Sequence, residues 1–159
     1  MEEAVRIGAD VPYCIMGGTA LAEGIGEKLT ALPPVPKIFF LVAKPDISVS
    51  TKYVYEHLDA AGIVHHPDID GMVEAIRAGS VPGILERMEN VLEAVTIPAH
   101  PMIDTIKKRM LELGAEGSLM SGSGPTVFGV FIKKESAESA YEQMKKDGLA
   151  KQLFVAEPV

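Results

Sequence analysis

Between a proline-rich stretch, Leu32-Pro33-Pro34-Val35-Pro36, and the pair Lys44-Pro45 lies a continuous apolar run from Lys37 to Ala43. No other stretch of the chain limits the fold so tightly. A run too short for a buried helix, apolar at consecutive positions and fenced by prolines, fits a central strand covered on both faces. Three prolines in five residues form a stiff, non-helical connector before it, the best candidate for a domain junction. The chain therefore divides into residues 1–36 and residues 37–159.

Downstream, Ser48-Val49-Ser50-Thr51 leads into a helical stretch with Ser50 as N-cap and Gly62 as terminator. Its aromatics Tyr53 and Tyr55 fall on different faces, so at least one looks outward. Met72 to Ala78 reads as a short helix closed by Gly79. Ser80-Val81-Pro82 opens another, in which Leu85, Met88, Leu92 and Val95 recur as one buried stripe until Pro98 breaks it. Pro101 opens a helix with Ile103, Ile106, Met110 and Leu113 inward and Lys107, Lys108 and Arg109 largely solvated, capped by Gly114. Strands at Ser118–Met120 and Thr126–Ile132, a helix from Ser136 to Asp147 and a strand at Gln152–Ala156 complete the order. Strand, helices, strand, strand, helix, strand is a split β-α-β, ferredoxin-like α+β unit with extra helices before the second strand. Ahead of the connector, Glu2–Ile7 reads as the last turns of a helix ended by Gly8, as though sequence preceded it. Two apolar runs around Gly17-Gly18 then read as a hairpin, with Gly24-Ile25-Gly26-Glu27 continuing its end.

Three places in the chain hold chemistry-bearing residues. Ser121-Gly122-Ser123-Gly124-Pro125 can gather backbone N–H groups at one point, where anions bind, or can simply be a tight link between two strands. Asp10, just before Val11-Pro12, is expected outside a helix with its side chain facing a cleft or solvent; a turn or capping role is the plainer alternative. His65-His66-Pro67-Asp68-Ile69-Asp70 brings imidazoles and carboxylates close in sequence, yet Pro67, Asp68, Asp70 and Gly71 are ordinary turn and helix-start residues, and no metal site is expected.

Charge and composition remove whole classes of function. A net charge of −7 disfavours a nucleic-acid partner. With 47% hydrophobic and 23% charged residues the chain is globular rather than disordered. The single cysteine, Cys14, precludes an internal disulfide framework and suits a reducing cytoplasm. No apolar run is long enough for a membrane helix, and the acidic start does not look like a secretory signal. Oligomeric state is not readable.

Gly8-Ala9-Asp10-Val11-Pro12, Gly17-Gly18-Thr19-Ala20, Gly24-Ile25-Gly26-Glu27 and Leu119 to Phe128 together resemble the 4-diphosphocytidyl-2-C-methyl-D-erythritol kinases, a branch of the GHMP kinases. Ala43-Lys44-Pro45, Val49-Ser50-Thr51 and Asn90-Val91-Leu92-Glu93, read as helical, extend the likeness over essentially the whole chain. The resemblance implies ATP-dependent phosphorylation, with Mg, of the 2-hydroxyl of a cytidyl-linked methylerythritol in the non-mevalonate route to isoprenoid precursors. Asp10 matches the family's catalytic aspartate. Thr51 and Tyr55 fall where substrate contacts near the cytidyl group are expected, Tyr55 stacking on the base, and Ser121, Gly122, Ser123 and Gly124 form an active-site glycine loop. Family members also carry an amino-terminal half with a phosphate-cradling loop, so residues 1–36 are expected to be a remnant of that domain, 37–159 the carboxy-terminal domain, and the chain alone inactive. Two alternatives stay open: a stand-alone ferredoxin-like module that binds a small effector, and another GHMP kinase acting on mevalonate or homoserine.

Overall fold

The computed structural model describes Gly8, residues 10–61 and residues 65–158. The expected helix end at Glu2–Ile7 and the terminator Gly62 lie outside the described residues. The elements run α1 (Val11–Met16), β1 (Thr19–Glu23), β2 (Lys28–Leu32), β3 (Phe39–Lys44), α2 (Thr51–Ala61), α3 (Ile69–Arg77), α4 (Val81–Glu86), α5 (Glu93–Ala99), α6 (Met102–Glu112), β4 (Gly117–Met120), β5 (Val127–Phe131), α7 (Lys134–Asp147) and β6 (Gln152–Ala156).

Four strands form an antiparallel sheet in the order β4-β5-β3-β6, with Leu41 opposite Gly129 on one side and Val155 on the other. Strand β3 is thus central, as its unbroken apolar run predicts, and the order is that of a split β-α-β unit. Its cover is one-sided. Phe39, Leu41 and Ala43 are buried, in one core with Ile103, Ile106 and Met110 of α6 and Ala137, Ala140 and Met144 of α7. Phe40 and Val42, alternating to the other face, are only half-buried. The expectation of a doubly covered strand is corrected accordingly: its second apolar face is an open aromatic surface where Phe40 meets Phe128 edge-on at 5.8 Å. Helix α6 comes close to β5 because Gly129 has no side chain; a Cβ there would lie 3.1 Å from Met110 Sδ and 3.2 Å from Ala115 Cβ.

Two further expectations change. The hairpin is β1–β2, pairing Thr19 with Leu32 and Glu23 with Lys28, and it turns at Gly24–Glu27 rather than at Gly17-Gly18. Glu27 holds that turn, its carboxylate accepting from Ile25 N at 2.7 Å. The first apolar run instead forms α1, since a proline in the first helical turn removes an N–H that has no partner there anyway. Likewise the stripe Leu85 to Val95 is shared between α4 and α5, and Pro98 sits inside α5. The chain leaves the helix after Glu86, where the Arg87 guanidinium donates to Gly83 O at 3.0 Å and to Asp68 Oδ2 at 3.0 Å.

Candidate active site

Asp10 heads α1 with φ −86° and ψ −11°, so its backbone is helical, contrary to the expectation for a residue near Pro12. It is exposed, and its carboxylate makes no capping bond to the helix. It lines a cavity of about 600 Å³ together with Tyr13, Thr19, Val35, Phe40 of β3 and Glu157, just past the end of β6. Tyr13 closes the local loop by donating its hydroxyl to Gly18 O at 2.7 Å.

The glycine loop joins β4 to β5. Ser121 N donates to Thr126 O at 2.8 Å and Gly124 N to Ser121 O at 3.0 Å, so the turn is closed by its own backbone. Gly122 and Gly124 take φ of +55° and +86°, a region open to glycine at little cost. Ser121 borders a second hollow of about 220 Å³ with Phe40, Val42, Thr126, Phe128 and Ala156. Phe40 belongs to both hollows, so Asp10 and the loop approach the open sheet face from two sides without touching.

Thr51 starts α2, where Ser50 Oγ accepts from Tyr53 N at 3.3 Å as an N-cap. Its hydroxyl lies 2.9 Å from Ser123 Oγ, which ties the helix start to the glycine loop. Tyr55 is one turn on, on the same helix face as Thr51, and 52% exposed. Tyr53 is exposed too, its ring stacked on His57 with centres 3.7 Å apart. The glycine loop and Thr51 are thereby linked, Asp10 reaches the same open sheet face only through the shared Phe40, and Tyr55 is exposed.

Beneath the loop lies a set of side chains to which the sequence assigned no role in the site. Asn90 Nδ2 donates to Met120 O and to Gly122 O, both at 2.8 Å, while its Oδ1 accepts from Leu92 N at 3.0 Å. Asn90 therefore sits in the turn before α5, not in a helix as expected. Glu93 Oε1 accepts from Met120 N at 2.8 Å, and its other oxygen pairs with Lys107. Lys107 is 17% exposed, so the expectation that it is largely solvated is wrong: the Glu93 carboxylate draws it into the protein. Arg109 is likewise engaged, with Asp147 at 2.7 Å and Glu112 at 3.1 Å, which hold its guanidinium pKa above the ordinary arginine value. The buried Thr96 donates to Ser123 O at 3.3 Å. The only local hint in the sequence was the polar pair Asn90 and Glu93 amid apolar neighbours; their partners are too distant in the chain to read.

Among the described residues no three His, Cys, Asp or Glu side chains converge on a metal position. His65 pairs with Glu89 at 3.1 Å, and Asp68 caps α3 by accepting from Gly71 N at 3.0 Å. No helix among the described residues is long and apolar enough to cross a membrane.

Residues 72–150 match the family described as GHMP kinases C terminal. The fold these residues belong to is that of a GHMP kinase carboxy-terminal domain. The chain's sequence is similar to 4-diphosphocytidyl-2-C-methyl-D-erythritol kinase of Lachnospira eligens, 55% identical over 99% of this chain and 54% of that protein. The enzyme of the same name from Enterococcus faecalis is 47% identical over 94% of this chain and 52% of its own length. A crystal structure of 4-(cytidine 5'-diphospho)-2C-methyl-D-erythritol kinase superposes with a TM-score of 0.79 at 29% identity, covering 96% of this chain and 54% of that one. The fold is shared further with a homoserine kinase from Cytophaga hutchinsonii, TM-score 0.73 at 24% identity over 94% of this chain and 50% of that one. The chain spans about half the length of the curated relatives it matches.

Proposed function

We propose that the protein to which these 159 residues belong transfers the γ-phosphoryl group of ATP to the 2-hydroxyl of 4-diphosphocytidyl-2-C-methyl-D-erythritol, a step toward isoprenoid precursors. What carries the reading within the fold is the position of Asp10: an exposed carboxylate lining a cavity that also includes Phe40, which in turn borders the glycine-loop hollow. The likeness to kinases of that name over 99% of the chain supports the choice of substrate. In the reaction the substrate hydroxyl oxygen bonds to the γ-phosphorus as the bond to the β–γ bridging oxygen breaks. ADP leaves, and the hydroxyl proton passes toward Asp10. An aspartate is a weak base, so its value lies mainly in orienting the hydroxyl and in electrostatics within a closed site.

Thr51 and Tyr55 are assigned to the cytidyl end of the substrate, and Ser121 to Gly124 to shaping the cleft. ATP would come with Mg, which would neutralise charge on its phosphates. Residues 1–36 are assigned to the amino-terminal kinase domain and 37–159 to the carboxy-terminal one, in a soluble cytoplasmic enzyme. Steady-state assay of the full-length enzyme tests this reading. Asp10→Asn is expected to lower kcat about a thousandfold with KM values changed only a few fold. A kcat within about tenfold of wild type, or better turnover of mevalonate or homoserine, would overturn it. The 159 residues alone are expected to give no substrate-dependent ADP release.

A further inference from the structure

Four peptide groups of the glycine loop are held in ways that fix which direction each N–H faces. In a trans peptide the C=O and the following N–H point oppositely, so anchoring a carbonyl aims the next amide away from the anchor. Asn90 anchors Met120 O, and Ser121 N–H, facing away, is used by Thr126 O. Thr96 anchors Ser123 O, and Gly124 N–H is used by Ser121 O. Asn90 also anchors Gly122 O at 2.8 Å, which turns Ser123 N–H to the opposite side; among the described residues no acceptor takes it. Glu93 fixes the remaining side of the clamp through Met120 N, and Lys107 in turn fixes Glu93.

We infer that Asn90 is a positioning residue for phosphoryl transfer: by gripping Met120 O and Gly122 O it presents Ser123 N–H, beside the Ser123–Thr51 hydroxyl pair, as a preset donor to the reacting groups. The inference rests on the kinase reading above. Its chemistry is specific to an amide. Asn90 Oδ1 is already committed to Leu92 N, so both hydrogens of Nδ2 face the two carbonyls. A carboxylate of the same shape would keep the Leu92 bond and set a negative oxygen against two carbonyl oxygens, forcing the loop off its anchor.

The test uses the full-length enzyme and two readouts. For Asn90→Asp, kcat is expected to fall about 30-fold or more while KM for ATP and for the cytidyl substrate stays within about threefold. Activity should partly return as pH is lowered and the new carboxyl gains a proton with which to donate. Hydrogen exchange of the segment Leu119–Gly124 should quicken, with helix α7 unchanged as the internal control. Asn90→Ser, which removes both donors without adding charge, serves if Asn90→Asp does not fold, and should show the same split of kcat from KM. A kcat within about twofold of wild type, or a loss accompanied by faster exchange throughout the domain, overturns the inference. Should the wild-type enzyme itself not phosphorylate the cytidyl substrate, the kinase reading fails; the clamp is then decided by exchange alone, unchanged loop exchange in both variants refuting it.

Discussion

Asp68 holds two neighbours with one carboxylate: Oδ1 accepts from Gly71 N at 3.0 Å, and Oδ2 from Arg87 Nε at 3.0 Å. The Gly71 N–H, and after it the Arg87 guanidinium, hold this carboxyl below the usual aspartate range. A group whose pKa is depressed on folding contributes stability that is complete above its unfolded value and disappears as pH falls through its folded one. The difference in melting temperature between wild type and Asp68→Ala is therefore expected to be constant above about pH 5 and to shrink as pH drops below about 4. A difference unaltered down to about pH 2 would place the effect of Asp68 elsewhere. Asp68 was legible as a helix-start residue because its cap partner is three positions away. Asn90 and Lys107 were not: Asn90 serves carbonyls at 120 and 122, and Lys107 a carboxylate at 93, so neither role follows from local pattern. The role proposed for Asp10 rests on resemblance, since its own neighbours read equally well as a turn.

At the level of elements, several were read in the sequence to within two residues at either end. Strand β6 matches end to end, helix α7 ends as expected but starts two residues earlier, at Lys134, and β3, expected at Lys37–Ala43, runs from Phe39 to Lys44. The single helix expected from Ser80 to Val95 failed because side chains compete with helical hydrogen bonding there: Arg87 takes Gly83 O, and Asn90 Oδ1 takes Leu92 N. Two glycine positions separate two sources of rigidity. Gly148 ends α7 at φ +66° with open space around it, so Gly148→Ala meets only the backbone preference, about 1 kcal/mol. Gly124 combines φ +86° with a Cβ position 2.7 Å from Met120 Sδ, and Met120 is buried. Gly124→Ala is expected to cost about 2–3 kcal/mol. Urea denaturation of both variants measures the contrast; equal midpoints would mean that the Met120 side chain moves aside freely.

Taken as a whole, the molecule packs helices α6 and α7 on one face of the four-stranded sheet and leaves the aromatic face of Phe40 and Phe128 to border the two hollows. The β1–β2 hairpin forms a separate two-stranded sheet whose residues are at best half-buried. Amides of Phe39–Val42 are accordingly expected to exchange about a hundredfold more slowly than those of Thr19–Glu23 in the 159-residue chain. Comparable protection in the two segments would show that the hairpin is locked to the sheet. That arrangement has a consequence in time as well as in space. Both strands that flank β3, 127–131 and 152–156, emerge from the ribosome long after it. Until then its two edges are bare and its phenylalanines and leucine lack a partner, a state prone to pairing with other chains. The prolines on either side, which cannot donate to a ladder, shorten the edge on offer during that wait.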